Sequence, residues 1–184
     1  MKGSNKQQGV TLMELMITLV IIGILITVVA PSVAEILTRN RITAQVNETS
    51  GVIQLARHTA IDEQSNTIVC PTADFSTCSN DWGLAKMVFV DLDQSGDRGD
   101  DEEILAGTSV SPEGLNISGP AAAILFNGDG TASAPATILI CDQDNTDKFA
   151  RALLLTLQGR VKISQDSNND DIHEDLAGTA LSCS

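Results

Sequence analysis

Tyrosine is absent from the 184 residues, tryptophan occurs once and phenylalanine four times. A core must therefore be built from Ile, Leu, Val and Ala rather than from aromatic rings. Basic residues are scarce too: 11 Lys and Arg stand against 24 Asp and Glu, a net charge of −13. That balance argues against broad binding of nucleic acid or anionic lipid, and fits a soluble acidic head able to hold cations. The two histidines, His58 and His173, are remote from each other. Without a His-Glu-x-x-His run, a P-loop or a nucleophile elbow, no catalytic residue can be named and no enzyme is expected. Zinc is a poor fit, because no Cys-x-x-Cys pair occurs. With no tandem repeat and no long low-complexity linker, one membrane helix and one modest domain account for the length.

What is present begins at the N-terminus. Lys2 and Lys6 precede Gly9, and the stretch from Val10 to Ala30 is almost wholly apolar. About 21 helical residues rise roughly 30 Å, the thickness of a bilayer's hydrocarbon core. One carboxylate, Glu14, lies a single turn inside that run. A secretory signal has a shorter apolar region, no acid within it and a cleavage site after it. Here the processing site, Gly9, comes first, so the apolar helix is expected to stay in the mature protein. An ionised carboxylate at bilayer depth costs about 2–3 kcal/mol. If cleavage leaves an α-ammonium on Val10, that of a neighbouring subunit would offset the cost, and Glu14 is then expected to serve assembly. The alternative is a glutamate that snorkels to the interface.

The run Gly9-Val10-Thr11-Leu12-Met13-Glu14-Leu15 resembles the class III signal of type IV pilins and type II secretion pseudopilins. The resemblance implies that a prepilin peptidase cuts between Gly9 and Val10 and methylates the new N-terminus, Val10, where most members carry Phe. Loss of Lys2 and Lys6 leaves nine basic against 24 acidic side chains, a balance of −15. Pro31 stands where many pilins have a helix-weakening proline. The resemblance further implies a single-pass protein of the bacterial inner membrane with a periplasmic C-terminal head, extracellular once built into a pilus. Its partners would be other pilins or pseudopilins in a filament, the prepilin peptidase and the assembly platform.

From Ser32 the helical pattern continues but turns one-sided. Val33, Ile36, Leu37, Ile42, Val46, Ile53, Ala56 and Ala60 recur at three- and four-residue steps, with Arg39, Arg41, Gln45 and Glu48 on the other faces. The pattern ends near residue 61. Short strand-like runs follow at 67–70, 86–90, 103–106, 115–118, 123–126 and 137–141. Two hairpins are expected: 123–126 with 131–133 about Asn127-Gly-Asp-Gly130, and 151–157 with 160–164 about Gln158-Gly159. The fold class is α+β, a long N-terminal helix with a membrane half and an amphipathic half, packed on a small antiparallel β head. The expected organisation is a leader at 1–9, a transmembrane half at 10–30, an amphipathic half at 31–61 and a head at 62–184. Cys70-Pro71, Cys78, Asp81-Trp82-Gly83 and Phe89-Val90-Asp91, then Ala150-Arg151 and Gly159-Arg160, resemble the GspH/FimT branch of minor pilins and pseudopilins.

Four cysteines permit three pairings, and an oxidising periplasm favours disulfides. The expected pairs are Cys70–Cys78, which closes a short loop, and Cys141–Cys183, which closes a long one. The loop from Asp91 to Glu102 has calcium-loop spacing, with Asp91, Asp93, Ser95, the Asp97 carbonyl and Glu102 as oxygen ligands. Its rival reading is an acidic hairpin turn. Asp166, Asn168, Asp170, Asp171 and Asp175 form a second oxygen-rich loop. No cofactor is required; Ca²⁺ is the one ion these loops would suit.

Some FimT-like relatives bind DNA for natural transformation through a Gly-Arg-x-Arg motif in the C-terminal hairpin, and Gly159-Arg160-Val161-Lys162 resembles it. Arg160 and Lys162 alternate and would meet phosphate together, but lysine has no guanidinium fork. Two cations on so acidic a head predict weak, salt-sensitive affinity, so the solvated strand face is the stronger reading. The function expected is a minor pilin or pseudopilin that starts or caps a filament. The alternative is a DNA-binding minor pilin for uptake.

Overall fold

The computed structural model describes residues 9–183. The expected leader, with Lys2 and Lys6, lies outside the described residues except for Gly9. Two compact units divide the chain, one ending at Thr38 and the other starting at Arg39.

Helix α1, Leu12–Glu63, contributes to both units. It ends two residues beyond the expected position because Gln64 takes a left-handed φ of 53°. The Ser65 N–H then closes back on the Ala60 carbonyl at 3.2 Å, the wide bond of a Schellman-type stop. In the first unit the helix is long and apolar enough to cross a membrane, and Leu15, Ile21, Leu25 and Val29 are all exposed. Pro31 lies inside it, where the ring removes the N–H that would reach the Thr27 carbonyl. Val33, Ile36 and Leu37, expected at the start of the buried stripe, are exposed. Among the described residues of their unit there is no strand to cover them.

Burial begins at Ile42. Ile42, Val46, Ile53, Ala56 and Ala60 enter one core with Val69, Val88, Phe126, Ile138 and Leu153. Burying each large aliphatic side chain stabilises by about 1.5–3 kcal/mol. Gln45, expected on an outer face, is buried with Thr49. Both fall on the stripe set by Ile42, Val46 and Ile53, and the Gln45 amide donates to the Thr49 hydroxyl at 3.2 Å. A buried polar pair is tolerable when its members satisfy each other.

The head holds two four-stranded antiparallel sheets. The first runs β3–β2–β1–β5, from β1 (Asn66–Thr72), β2 (Ala85–Asp91), β3 (Ile104–Gly107) and β5 (Ile124–Phe126). The second runs β4–β6–β7–β8, from β4 (Leu115–Ser118), β6 (Ala136–Asp142), β7 (Arg151–Leu155) and β8 (Val161–Ile163). Alternation on β1 sends Val69 to the helix side, while Ile68 and Cys70 join Met87 and Phe89 on the opposite face. That outer face is closed by the loop that Cys78 ties to Cys70. On the second sheet Cys141, Ala152 and Leu154 form an outer face covered by Leu181 and Cys183 of the C-terminal tail. The Cys141–Cys183 bond fixes that tail.

One expected hairpin arm does not form. Residues 131–133 make only a bridge between Ala132 and Phe126. The Ala132 N–H goes to Leu157 and the Ser133 N–H to Leu125, so the segment divides its donors between two neighbours and builds no ladder. A short 3-10 turn, Asp147–Phe149, also interrupts the head between β6 and β7.

Trp82 is buried, and its indole N–H donates to the Pro120 carbonyl at 2.9 Å. Lys86, the second residue of the fully buried β2, is the anomaly. Its ammonium donates to Ser111 Oγ at 3.0 Å. Burial pushes its pKa down to about 8, against the opposing pull of Glu48 and Asp81.

Candidate functional site

The N-terminal segment brings Gly9, Val10 and Glu14 together. Gly9 and Val10 precede α1, and both are exposed, as is Glu14. Thr11 caps the helix: its hydroxyl accepts the Glu14 N–H at 3.2 Å, and its carbonyl accepts the Leu15 N–H at 3.1 Å. Thr11-x-x-Glu14 is the spacing of a capping box, a signal overlooked beside the membrane run. Glu14 therefore stands in the first turn, where the positive end of the helix dipole favours a carboxylate. Further along the apolar run, the Thr18 and Thr27 hydroxyls return to the Leu15 and Ile24 carbonyls, so both hydroxyl donors are satisfied within the helix.

The Asp91–Glu102 loop gathers one carboxylate oxygen each from Asp91, Asp93 and Glu102 within 4.8 Å of one another. Asp91 and Glu102 are buried. Asp91 accepts the Ser95 and Gly96 N–H groups, and Glu102 accepts those of Leu92 and Gly99. Burial pushes the Asp91 carboxyl above its usual range; the Gly96 and Ser95 N–H groups oppose the shift, and the Glu102 and Asp93 carboxylates add to it. Ser95 Oγ donates to the Asp97 carbonyl at 2.9 Å. Every buried carboxylate oxygen of Asp91 and Glu102 thus has a backbone donor, and the loop is satisfied by its own main chain. The donor set is hard oxygen throughout, which suits Ca²⁺ and no softer metal.

Arg160 lies just before β8 and Lys162 within it, and both are exposed. With Arg57 and His58 of α1 they line an open cleft of about 440 Å³. Arg57 is half engaged already: Nε donates to the Gly130 carbonyl at 2.9 Å and Nη2 to the Gln158 carbonyl at 3.2 Å. Sequence reasoning missed Arg57 because nothing local marks a helix arginine that bonds to turns more than 70 residues away. His173 is also engaged, with Nδ1 2.6 Å from the Ser164 carbonyl and 3.2 Å from its hydroxyl.

Two family models match the chain, and neither extends to Arg160 or Lys162. The prokaryotic N-terminal methylation motif matches residues 4–30, and the type II transport protein GspH model matches residues 45–159. No curated protein sequence matches the chain. Among solved structures, the type IV minor pilin FimU of Pseudomonas aeruginosa is similar in two crystal forms. One shows 19% identity and a TM-score of 0.58, covering 79% of this chain and 97% of that one. The other shows 17% identity and a TM-score of 0.51, covering 77% and 99%. The minor pseudopilin EpsH from the Type 2 Secretion System of Vibrio cholerae follows at 14% identity and a TM-score of 0.47, covering 66% and 94%. The FimU likeness shows a shared fold of one long helix on an antiparallel head, and the GspH match spans well over half of the residues. The chain belongs to the GspH family of type IV pilin-like proteins.

Proposed function

We propose that the protein is a structural subunit, a minor pilin or pseudopilin that a prepilin peptidase cuts after Gly9 and methylates on Val10. The helix then anchors it once in the inner membrane, with residues 62–184 as a periplasmic head. From there it enters a type IV pilus or a type II secretion pseudopilus, at initiation or at the tip. The observation that carries this reading is Glu14: a lone carboxylate in the first turn of an exposed apolar helix, under a methylation-motif match. In a single subunit that charge is poorly compensated in lipid. In a filament the α-ammonium of a neighbour's Val10 pairs with it, so insertion into the filament is favoured over remaining in the bilayer.

The test uses three forms of the full chain. Gly9→Val keeps the leader, read as unshifted mass of the N-terminal peptide. Glu14→Ala is cut and methylated as in the unaltered protein but is not recovered in sheared filaments, and Glu14→Asp restores part of the incorporation. Equal incorporation of Glu14→Ala and the unaltered chain would overturn the assembly role.

A second reading, a DNA receptor for uptake, has one observation in its favour: Arg160 and Lys162 share a cleft with Arg57 and His58. Opposing it are the net charge of −13 and the bonds that already hold Arg57. Salt-dependent retention of duplex DNA by the full chain, lost in Arg160→Ala with Lys162→Ala, would favour this role. Absence of retention at low ionic strength would dismiss it.

A further inference from the structure

We propose that the loop Asp166–Glu174 is a Ca²⁺ site, closed by the buried carboxylate of Glu174. Asp166, Asp170 and Glu174 each place one carboxylate oxygen within 4.8 Å of the other two. One Ca²⁺, with bonds of about 2.3–2.6 Å, spans oxygens up to roughly 5 Å apart. Asp166-Ser-Asn168-Asn-Asp170 repeats an oxygen-bearing side chain at every second position, and Glu174 follows at the ninth.

An acidic loop alone would carry no such assignment, since most are solvated turns. What distinguishes this one is Glu174. Its side chain is 95% buried (5% exposed), and Oε1 has no hydrogen-bond partner among the described residues. Oε2 accepts the Ser167 N–H at 2.8 Å. The backbone of Glu174 is held on both sides by bridges to Gln165 and Ala180, and turning the carboxylate out to water would break the bond that Oε2 accepts from Ser167. A buried carboxylate oxygen left bare is costly, and here it belongs to a trio of carboxylates that repel one another. A divalent cation resolves both problems.

The neighbouring acids are already arranged by the main chain. Asp166 accepts the N–H groups of Asn169, Asp170 and Asp171. Asp170 accepts the Ile172 N–H, and Asn168 holds it from the side through Nδ2 at 3.0 Å. Asn169 and Asp171 take left-handed φ values of 62° and 69°, which curls the loop about these oxygens. Asp175 turns elsewhere, accepting the Ala177 and Thr179 N–H groups. The contrast with Asp91–Glu102 is direct. There each buried carboxylate oxygen has a main-chain donor; here one does not. Bound Ca²⁺ would fix the 166–174 loop on itself, and the Glu174 bridge to Ala180 joins that loop to the tail that Cys183 fastens to the second sheet.

The test is a CaCl₂ titration of the full chain in detergent micelles, read by calorimetry and by Tm against a chelator control. One site is expected, with Tm raised by several degrees at saturating Ca²⁺. Glu174→Gln should weaken binding at least tenfold and abolish the Tm rise. Asp170→Asn, at an exposed position, should do the same and decides the matter if Glu174→Gln does not fold. Asp91→Asn should leave both readouts unchanged. No heat and no Tm change with millimolar Ca²⁺ would overturn the site. So would a rise that survives Glu174→Gln and Asp170→Asn but is lost in Asp91→Asn.

Discussion

Arg57 Nε donates to the Gly130 carbonyl at 2.9 Å, and the same guanidinium reaches the Gln158 carbonyl at 3.2 Å. One helix side chain thereby joins two glycine turns of the head, one after β5 and the other between β7 and β8. The turn after β5 closes on itself through Gly130 N–H to the Asn127 carbonyl. Its outward carbonyl has no ladder partner, and the arginine supplies one.

Arg57→Ala should therefore lower stability although it removes no core volume. Hydrogen bonds to a charged donor contribute about 1.5–3 kcal/mol each when protected. Both here are partly open to solvent, so the expected loss is about 2 kcal/mol, or roughly 6 °C in Tm for a domain of this size. Arg57→Lys should recover less than half, because a single ammonium cannot serve two carbonyls as a fork does. Thermal melts of the three proteins would check it.

Gly159 sits under the same contact. Its φ of +73° is left-handed, and an added Cβ would run into the Gly130 carbonyl and come within 2.6 Å of Arg57 Nε. Gly178 has a similar φ of +82° but nothing within 4 Å of the added atom. The pair separates strain from collision. Gly178→Ala should cost about 1 kcal/mol, the left-handed penalty alone. Gly159→Ala should cost about 3 kcal/mol, because overpacking is added to it. Equal costs in urea titrations would refute the crowding.

These contacts mark the boundary of what the residues foretold. The stripe Ile42, Val46, Ile53, Ala56 and Ala60 was legible because helical periodicity and burial coincide there. Most strands were legible because β-branched runs end at glycine, proline or acidic turns. Gln45 was misread because a polar side chain on a buried face leaves no trace in a hydropathy pattern; its partner Thr49 lies one turn on. The 131–133 arm failed because strand pairing depends on which neighbour claims each N–H, and that is decided by the whole head. Arg57 and Glu174 share this character. Both matter through groups distant in sequence or through burial, and neither stands in a motif.

The two disulfides differ in the loops they close, with separations of 8 and 42 residues. In the chain-entropy treatment these correspond to roughly 2.5 and 4 kcal/mol. Cys141→Ser with Cys183→Ser should therefore destabilise the head more than Cys70→Ser with Cys78→Ser. It should also release the tail from the second sheet, exposing Leu154 and Ala152. Hydrogen exchange on β7 would rise in the first double variant and stay near the unaltered level in the second. The reverse order of stabilities would show that loop length does not govern the effect.

Lys86 makes stability depend on alkaline pH in an unusual direction. Its pKa falls from 10.5 to about 8 in the folded protein, so between those values the unfolded chain holds a proton that the folded one has released. Stability then rises with pH from about 8 to 10.5, by no more than about 3 kcal/mol. Below pH 8 the folded state carries the full cost of a buried ammonium, with Ser111 Oγ as its hydrogen-bond acceptor. Lys86→Met removes the charge while keeping an unbranched side chain in the fully buried strand. It should be more stable than the unaltered protein at pH 7, because Glu48 is exposed and Ser111 half-buried, so both retain access to water when the ammonium is gone. All four cysteines are paired, so alkaline pH brings no free thiol to reshuffle them. Urea titrations at pH 7, 8.5 and 10 should show stability climbing in the unaltered protein and a flatter profile in Lys86→Met. Parallel profiles would mean that the ammonium is solvated and that its burial carries no cost.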